Sequence, residues 1–334
     1  MTGRDLALFA PAGDGGLGGR VAEALGVPLD PHEERGFEDG EHKARPLASV
    51  RGRHAAVIGP LHADAAMSVN DRLCRALFFC AALRDAGAAE VTLVAPYLCS
   101  ARKDRRTKSR DPVTTRYVAQ AIEAMGVDRV VAMDVHNPAA FENAFRRPAE
   151  HLEARPLLVR HLAALLRGEA VTVVAPDAGG AKRADALRAR AVRRPRGAGR
   201  LRVRREAAQR GRGHRRPAGR RGRGTAAVIV DDLIGTGTTL ARTARRCRER
   251  GAARVLAAAT HAVLAPGAGR ALADPALDAV VVTDTVPPGA GSDRLTVLSV
   301  APFLAEAIRR IHEGGSLAAL HEEWTAAAVT GGAG

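Results

Sequence analysis

The stretch with the clearest chemistry is Val228-Ile-Val-Asp-Asp-Leu-Ile-Gly-Thr-Gly-Thr-Thr239, where a buried-strand pattern ends in two adjacent acids and a Gly/Thr turn opens a helix pattern. Unpaired backbone N–H groups and the helix dipole favour an anion at such a turn, so Gly235, Thr236, Gly237, Thr238 and Thr239 are suited to hold a phosphate. Asp231 and Asp232 could not join nucleotide phosphates directly without repulsion, so ribose hydroxyls or a hydrated Mg²⁺ are the better partners for them. The plain alternative is a β-turn with Thr236 or Thr238 capping the helix.

A cationic loop follows another strand pattern in Pro96-Tyr-Leu-Cys-Ser-Ala-Arg-Lys-Asp-Arg-Arg106. Arg102, Lys103, Arg105 and Arg106 suit a triphosphate whose charge must be neutralised during in-line attack, although solvated basic loops have the same composition. Asp39 and Glu41 flank Gly40 in Phe37-Glu-Asp-Gly-Glu41, either as acceptors for a ligand or as a simple Asp-Gly turn. Asp134 and His136 end a further strand pattern; a neutral imidazole beside a carboxylate can ligate or orient Mg²⁺, or serve structure alone. Asp177 lies in the Gly-rich turn Pro176-Asp-Ala-Gly-Gly-Ala-Lys-Arg-Ala184, where Lys182 and Arg183 either act in catalysis or cap a solvated helix.

The elements that must position these groups are legible from periodicity. Apolar runs at 55–58, 91–95, 129–133, 171–175, 226–230, 255–259 and 279–283 alternate with amphipathic patterns at 70–86, 115–125, 154–167, 239–250 and 302–313. Gly87, Gly126 and Gly251 mark helix ends. The alternation predicts an α/β protein of mainly parallel sheets flanked by helices, and it occurs twice. We therefore expect two similar domains, 1–150 and 151–334. Ligands of such folds bind beyond the carboxyl ends of strands, where all the motifs above fall.

With 334 residues, 46% hydrophobic and 26% charged, the composition is that of a globular protein, and disorder is excluded for most of the chain. No run of 18 apolar residues could span a bilayer and the first eleven residues carry no export pattern, so the expectation is a cytoplasmic protein without a membrane partner. Cys74, Cys80, Cys99 and Cys247 lack C-x-x-C spacing, which argues against a zinc site or a disulfide framework. The net charge of +15 is local: residues 188–223 hold 16 arginines and one acid, Glu206, leaving the remainder formally neutral.

Taken together, these segments resemble the ribose-phosphate diphosphokinase family, with its type I phosphoribosyltransferase-like fold. The resemblance rests on the turn at 231–239, 37–41, the loop at 96–106 running on to Arg110-Asp-Pro112, Asp134-Val-His136 and the 176–184 turn, in the family's order. The segment 297–320, with its helix at 302–313, resembles the family's closing helix and, by that resemblance, is expected to pack on the N-terminal domain. Such a protein transfers the diphosphoryl group of ATP to the 1-hydroxyl of ribose 5-phosphate. The resemblance implies ATP contacts at Phe37, Asp39, Gly40, Glu41, Arg102, Lys103 and Asp104, and ribose 5-phosphate contacts at Asp231, Asp232 and 235–239. It implies Mg²⁺ contacts at His136, Asp177 and Asp134, and catalytic roles for Arg102 and Lys182. It also implies a homo-oligomer, hexameric or built from dimers. Lys103 is a departure, since glutamine is usual there. A base-using phosphoribosyltransferase is disfavoured by the cationic loop and the duplicated architecture.

One tract does not fit. Between 187 and 225 the family carries a helix, a central strand and a basic hairpin with its principal catalytic lysine, yet residues 188–224 contain no lysine and no apolar face for a strand. Residues 202–214 can be encoded so that reading one nucleotide later yields Ala-Phe-Val-Glu-Lys-Arg-Arg-Ser-Gly-Gly-Val-Val. Two compensating frame changes, near 187–196 and near 224, would explain the tract. The rival readings are a solvated disordered loop and a nucleic-acid-binding insertion; the absence of interleaved aromatics weighs against the second. Read as it stands, the chain could also be a catalytically inactive homologue that assembles with and regulates its relatives. Loss of a central strand would leave strand edges uncovered.

Overall fold

Strands with no polar face need cover on both sides, and both parallel sheets of this protein have it. The computed structural model describes residues 5–11, 14–177, 180, 183–185, 204–207, 225–287 and 294–330, with backbone alone at 204–207 and 328–330. The chain runs β1 (Leu6–Phe9), α1 (Leu17–Leu25), β2 (His32–Gly36), β3 (His42–Pro46), β4 (His54–Ile58), α2 (Val69–Asp85), β5 (Glu90–Val94), α3 (Thr114–Ala124), β6 (Arg129–Met133), α4 (Pro138–Ala144) and β7 (Ala149–Leu152). It continues through α5 (Arg155–Leu165), β8 (Val171–Ala175), β9 (Arg204–Ala207), β10 (Thr225–Leu233), α6 (Thr238–Glu249), β11 (Ala252–His261), α7 (Ala268–Leu272), β12 (Ala279–Thr283), β13 (Leu295–Leu298), α8 (Ala301–Glu313) and α9 (Leu317–Thr330).

The chain forms two units. The first comprises residues to Glu153 together with Thr285–Pro287 and Ser299–Leu320. Its sheet is all parallel, in the order β1-β4-β5-β6-β7. Alternate strand residues point to opposite faces. Ala7, Phe9, Val57, Leu93 and Ala132 join Phe79 and Leu83 of α2 and Ile122 of α3 in one core, while Leu8, Ala56, Ile58, Val131 and Met133 of the other set are equally buried. Helix α2 begins at a reciprocal capping box: the Ser68 hydroxyl accepts from Asp71 N–H at 3.2 Å and the Asp71 carboxylate accepts from Ser68 N–H at 2.9 Å. Helix α8 packs on α1. Its His312 ring stacks on His54 with centroids 5.4 Å apart and the Nδ1 atoms 3.2 Å apart, while His54 Nε2 lies 2.8 Å from the Thr92 hydroxyl.

The second unit, centred on Ala154–Asp284, carries a six-stranded parallel sheet in the order β13-β12-β11-β10-β8-β9. Ile229, Ala257 and Val282 pack with Leu240, Ala244 and Cys247 of α6 on one face; Val173, Val228 and Leu256 pack with Leu158 and Leu162 of α5 on the other. Here the structure corrects the sequence reading. The 188–224 tract was expected to lack a strand, but Arg204–Ala207 forms β9, in parallel register with Thr172–Ala175 of β8. The strand lies at the sheet edge rather than its centre, and an edge tolerates the charged residues that a central strand excludes. The rest of the tract lies outside the described residues. Among the described residues, no helix is long and apolar enough to cross a membrane.

Candidate functional site

In the second unit β10 carries the acid pair as its last turn of strand, with Asp231 and Asp232 just before Leu233. The turn that follows is pinned from the side: Ile234 N–H donates to the His261 carbonyl at 2.9 Å, and Leu264 N–H donates to the Ile234 carbonyl at 2.9 Å. Gly237 then enters α6 with φ +71°, in the left-handed region. A Cβ there would lie 2.8 Å from that of Ala271, so both backbone conformation and space require glycine. No side chain caps α6. The Thr236 and Thr238 hydroxyls meet each other at 3.1 Å instead of serving the helix end, so the plain helix-cap alternative is not realised. Thr236, Thr238 and Thr239 are exposed, and the first amides of α6 have no capping side chain.

The two acids differ in environment. Asp232 is buried, with 5% of its side chain exposed, whereas Asp231 is partly open at 29%. Arg183 Nη2 reaches both, at 3.0 Å from Asp232 Oδ1 and 3.4 Å from Asp231 Oδ1, and Asp232 N–H donates to Asp231 Oδ1 at 2.9 Å. Burial first, then the hydrogen bond and charge of Asp232, push the Asp231 carboxyl up to about 7 against the pull of Arg183. The sequence left Arg183 open between catalysis and capping a helix; its seat on the acid pair is visible only in the tertiary structure. Asp177 lies beyond β8, the strand beside β10, and its carboxylate accepts from Gly180 N–H at 2.8 Å in a local turn. Lys182 lies outside the described residues.

In the first unit the candidate groups sit at the carboxyl ends of neighbouring strands β5 and β6 and on the β2–β3 hairpin. Arg102, Arg105 and Arg106 are exposed on the loop after β5. Thr115, buried, anchors that loop by donating its hydroxyl to the Ser100 carbonyl at 2.9 Å. Lys103 extends Nζ to Asp111 Oδ2 at 2.6 Å. Asp104 accepts from Asn137 Nδ2 at 2.6 Å, tying the cationic loop to the 134–137 loop, and Asn137 also caps α4. Asp134 adopts φ +35°, and His136 is exposed two residues on. At the hairpin tip Phe37 is 42% exposed beneath the Arg35 guanidinium, 5.1 Å from its ring centre. Gly40 has φ +93°, and Asp39 Oδ1 accepts from Glu41 N–H at 3.0 Å. Among the described residues no three His, Cys, Asp or Glu side chains form a metal-binding cluster.

The family model described as the N-terminal domain of ribose phosphate pyrophosphokinase matches residues 6–126, and that of the phosphoribosyl synthetase-associated domain matches 219–322. Ribose-phosphate pyrophosphokinase of Parasynechococcus marenigrum is 37% identical over 324 residues, covering 95% of this chain and 94% of the relative. That of Caldanaerobacter subterraneus is 37% identical over 327 residues, covering 94% and 97%. The crystal structure of phosphoribosylpyrophosphate synthetase from Mycobacterium smegmatis superposes with TM-score 0.82 at 31% identity, covering 93% of this chain and all of that one. The chain belongs to the ribose-phosphate pyrophosphokinase family. Its two parallel sheets flanked by helices agree with that structural likeness.

Proposed function

We propose that this chain is a ribose-phosphate pyrophosphokinase: the 1-oxygen of ribose 5-phosphate attacks the β-phosphorus of ATP, the bond from that phosphorus to the α,β-bridging oxygen breaks, and AMP leaves. The observation that carries the reading is the uncapped, glycine-bounded start of α6 behind the Asp231–Asp232 pair, within a chain of this family. The amides and hydroxyls of Gly235–Thr239 hold the 5-phosphate, and the acids accept from the ribose hydroxyls. Arg102 and the cations beside it neutralise the triphosphate, while Phe37, Asp39, Gly40 and Glu41 engage adenosine. Catalysis is by positioning and charge neutralisation, without a covalent intermediate.

Mg²⁺ suits the chemistry of the candidate donors: Asp134 and His136 in the first unit, and separately Asp177 in the second, each supply few ligands, as expected for an ion that keeps most of its water and is completed by substrate phosphates. When bound it offsets the charge that builds on the transferring group. A homo-oligomer, hexameric or built from dimers, is part of the same reading, with exposed Leu47 and Phe78, 54% and 55% accessible, as candidates for contacts between copies.

The test is AMP release from MgATP and ribose 5-phosphate by the full chain; a well-folded preparation that binds no ribose 5-phosphate would refute the reading. A second reading, a silent subunit that binds both substrates without turnover, is favoured by one observation, the lack of any lysine in 188–224. The same assay with binding measured in parallel separates the two.

A further inference from the structure

The loop between β5 and α3 contains an anion site that the chain itself fills. One oxygen, Asp111 Oδ2, accepts from four donors within nine residues of sequence: Lys103 Nζ at 2.6 Å, the Thr107 hydroxyl at 2.6 Å, Thr107 N–H at 3.1 Å and Lys108 N–H at 3.0 Å. Lys103 Nζ also donates to the Thr107 hydroxyl at 3.2 Å. Successive backbone N–H groups converging on one anionic oxygen, with an ammonium alongside, form a nest of the kind that holds phosphate oxygens. The loop closes on the acid from the other side as well, since Asp111 N–H donates to the Lys108 carbonyl at 3.2 Å and Arg106 Nε donates to the Asp111 carbonyl at 3.3 Å.

We propose that Asp111 is a built-in phosphate mimic: its carboxylate occupies the nest formed by Lys103, Thr107 and Lys108 until a nucleotide polyphosphate displaces it. The inference rests on the proposal that this loop binds ATP, and it gives the Lys103–Asp111 ion pair a purpose. An ammonium carries charge that the nearby carboxylate can hold in reserve, and a lysine can swing from one anion to the other on its flexible stem. The Lys103 ammonium, then the Thr107 hydroxyl and the Lys108 amide, hold the Asp111 carboxyl far below the usual carboxylate range, so the mimic stays ionised wherever the protein is folded at neutral pH. Lys103 and Asp111 are 33% and 25% exposed, which leaves both accessible to an entering ligand. Asp111 is therefore a positioning residue for nucleotide entry: it shapes the loop and sets the cost of opening it, while the phosphate contacts belong to the cations.

The experiment is calorimetric titration of the full chain with MgATP in wild type, D111N, K103Q, K103Q/D111N and R102A, each first shown to melt cooperatively. Asparagine keeps an acceptor oxygen of the same shape but gives up the charge that competes with phosphate. D111N should bind MgATP about fivefold more tightly, the scale of a partly exposed ion pair relieved. The gain should shrink to less than twofold in the K103Q background. D111N binding unchanged or weaker overturns the proposal, and so does an undiminished gain without Lys103. If wild type binds no MgATP, the proposal falls together with the functional reading. If wild type binds, R102A binds at least tenfold more weakly and D111N is not tighter, the mimic alone falls.

Discussion

Replacing Asp231 by asparagine tests the electrostatics of the sugar-phosphate turn most directly. Asp231 carries a carboxyl pushed from its ordinary value of 3.8 to about 7 by burial and by Asp232. Between those values the folded protein holds a proton that the unfolded chain has released, so stability contributed by this group is present below about pH 4 and is lost as pH rises through 7. At about 1.4 kcal/mol per pH unit, the span sets an upper limit of about 4 kcal/mol. Residual exposure of the side chain, through solvent screening, reduces what is realised to on the order of 2 kcal/mol. D231N retains the shape and removes the titration. Urea unfolding of wild type and D231N at pH 5, 6, 7 and 8 should therefore show the variant gaining relative to wild type at roughly 0.6 kcal/mol per pH unit between 5 and 7, then levelling off. Ribose 5-phosphate affinity should fall in D231N at pH 8, because the amide is a weaker acceptor for sugar hydroxyls than the carboxylate. Parallel pH profiles for the two proteins would refute the argument that the pair retains a proton near neutrality.

Other outcomes follow from the same geometry. Gly237→Ala forces a Cβ into the left-handed region and to 2.8 Å from Ala271, at about 2–3 kcal/mol of stability by thermal melting, with ribose 5-phosphate binding lost and MgATP binding retained. Phe79→Ala empties a 1%-exposed site in the first-unit core and should cost about 3–5 kcal/mol in urea unfolding, while the folded variant keeps its ligand affinities. Exchanging residues 202–213 for Ala-Phe-Val-Glu-Lys-Arg-Arg-Ser-Gly-Gly-Val-Val should raise AMP formation by about two orders of magnitude, the scale of one restored charge-stabilising contact. Stop codons in the shifted frame of the nucleotide sequence would remove the basis for that exchange.

Much of this protein was written locally. The central strands β4, β5, β6, β8, β10, β11 and β12 are continuous apolar runs because both faces of a parallel sheet are covered, and helices α2, α3, α5, α6 and α8 carry apolar residues at helical spacing. The turn after Asp232 was legible for the same reason: strand, acids, glycines and helix start are consecutive, so their arrangement depends on a dozen adjacent residues. Short or half-polar elements were not legible. The hairpin β2–β3, with sequences His-Glu-Glu-Arg-Gly and His-Lys-Ala-Arg-Pro, has no period-two apolar face, and edge strand β9 is Arg-Arg-Glu-Ala.

What the tertiary structure alone decided are the contacts between distant positions. Arg183 reaches Asp231 across 48 residues, and His54 meets His312 across 258. Even the Asp111 nest, though compact in sequence, requires the left-handed turn at Arg110 (φ +65°) to bring one carboxylate oxygen under four donors. Periodicity reports which face of an element is buried, because burial repeats with the helix or strand. It carries no record of which polar group lies opposite another, since that depends on how elements stack and on the charge left to be balanced once water is excluded.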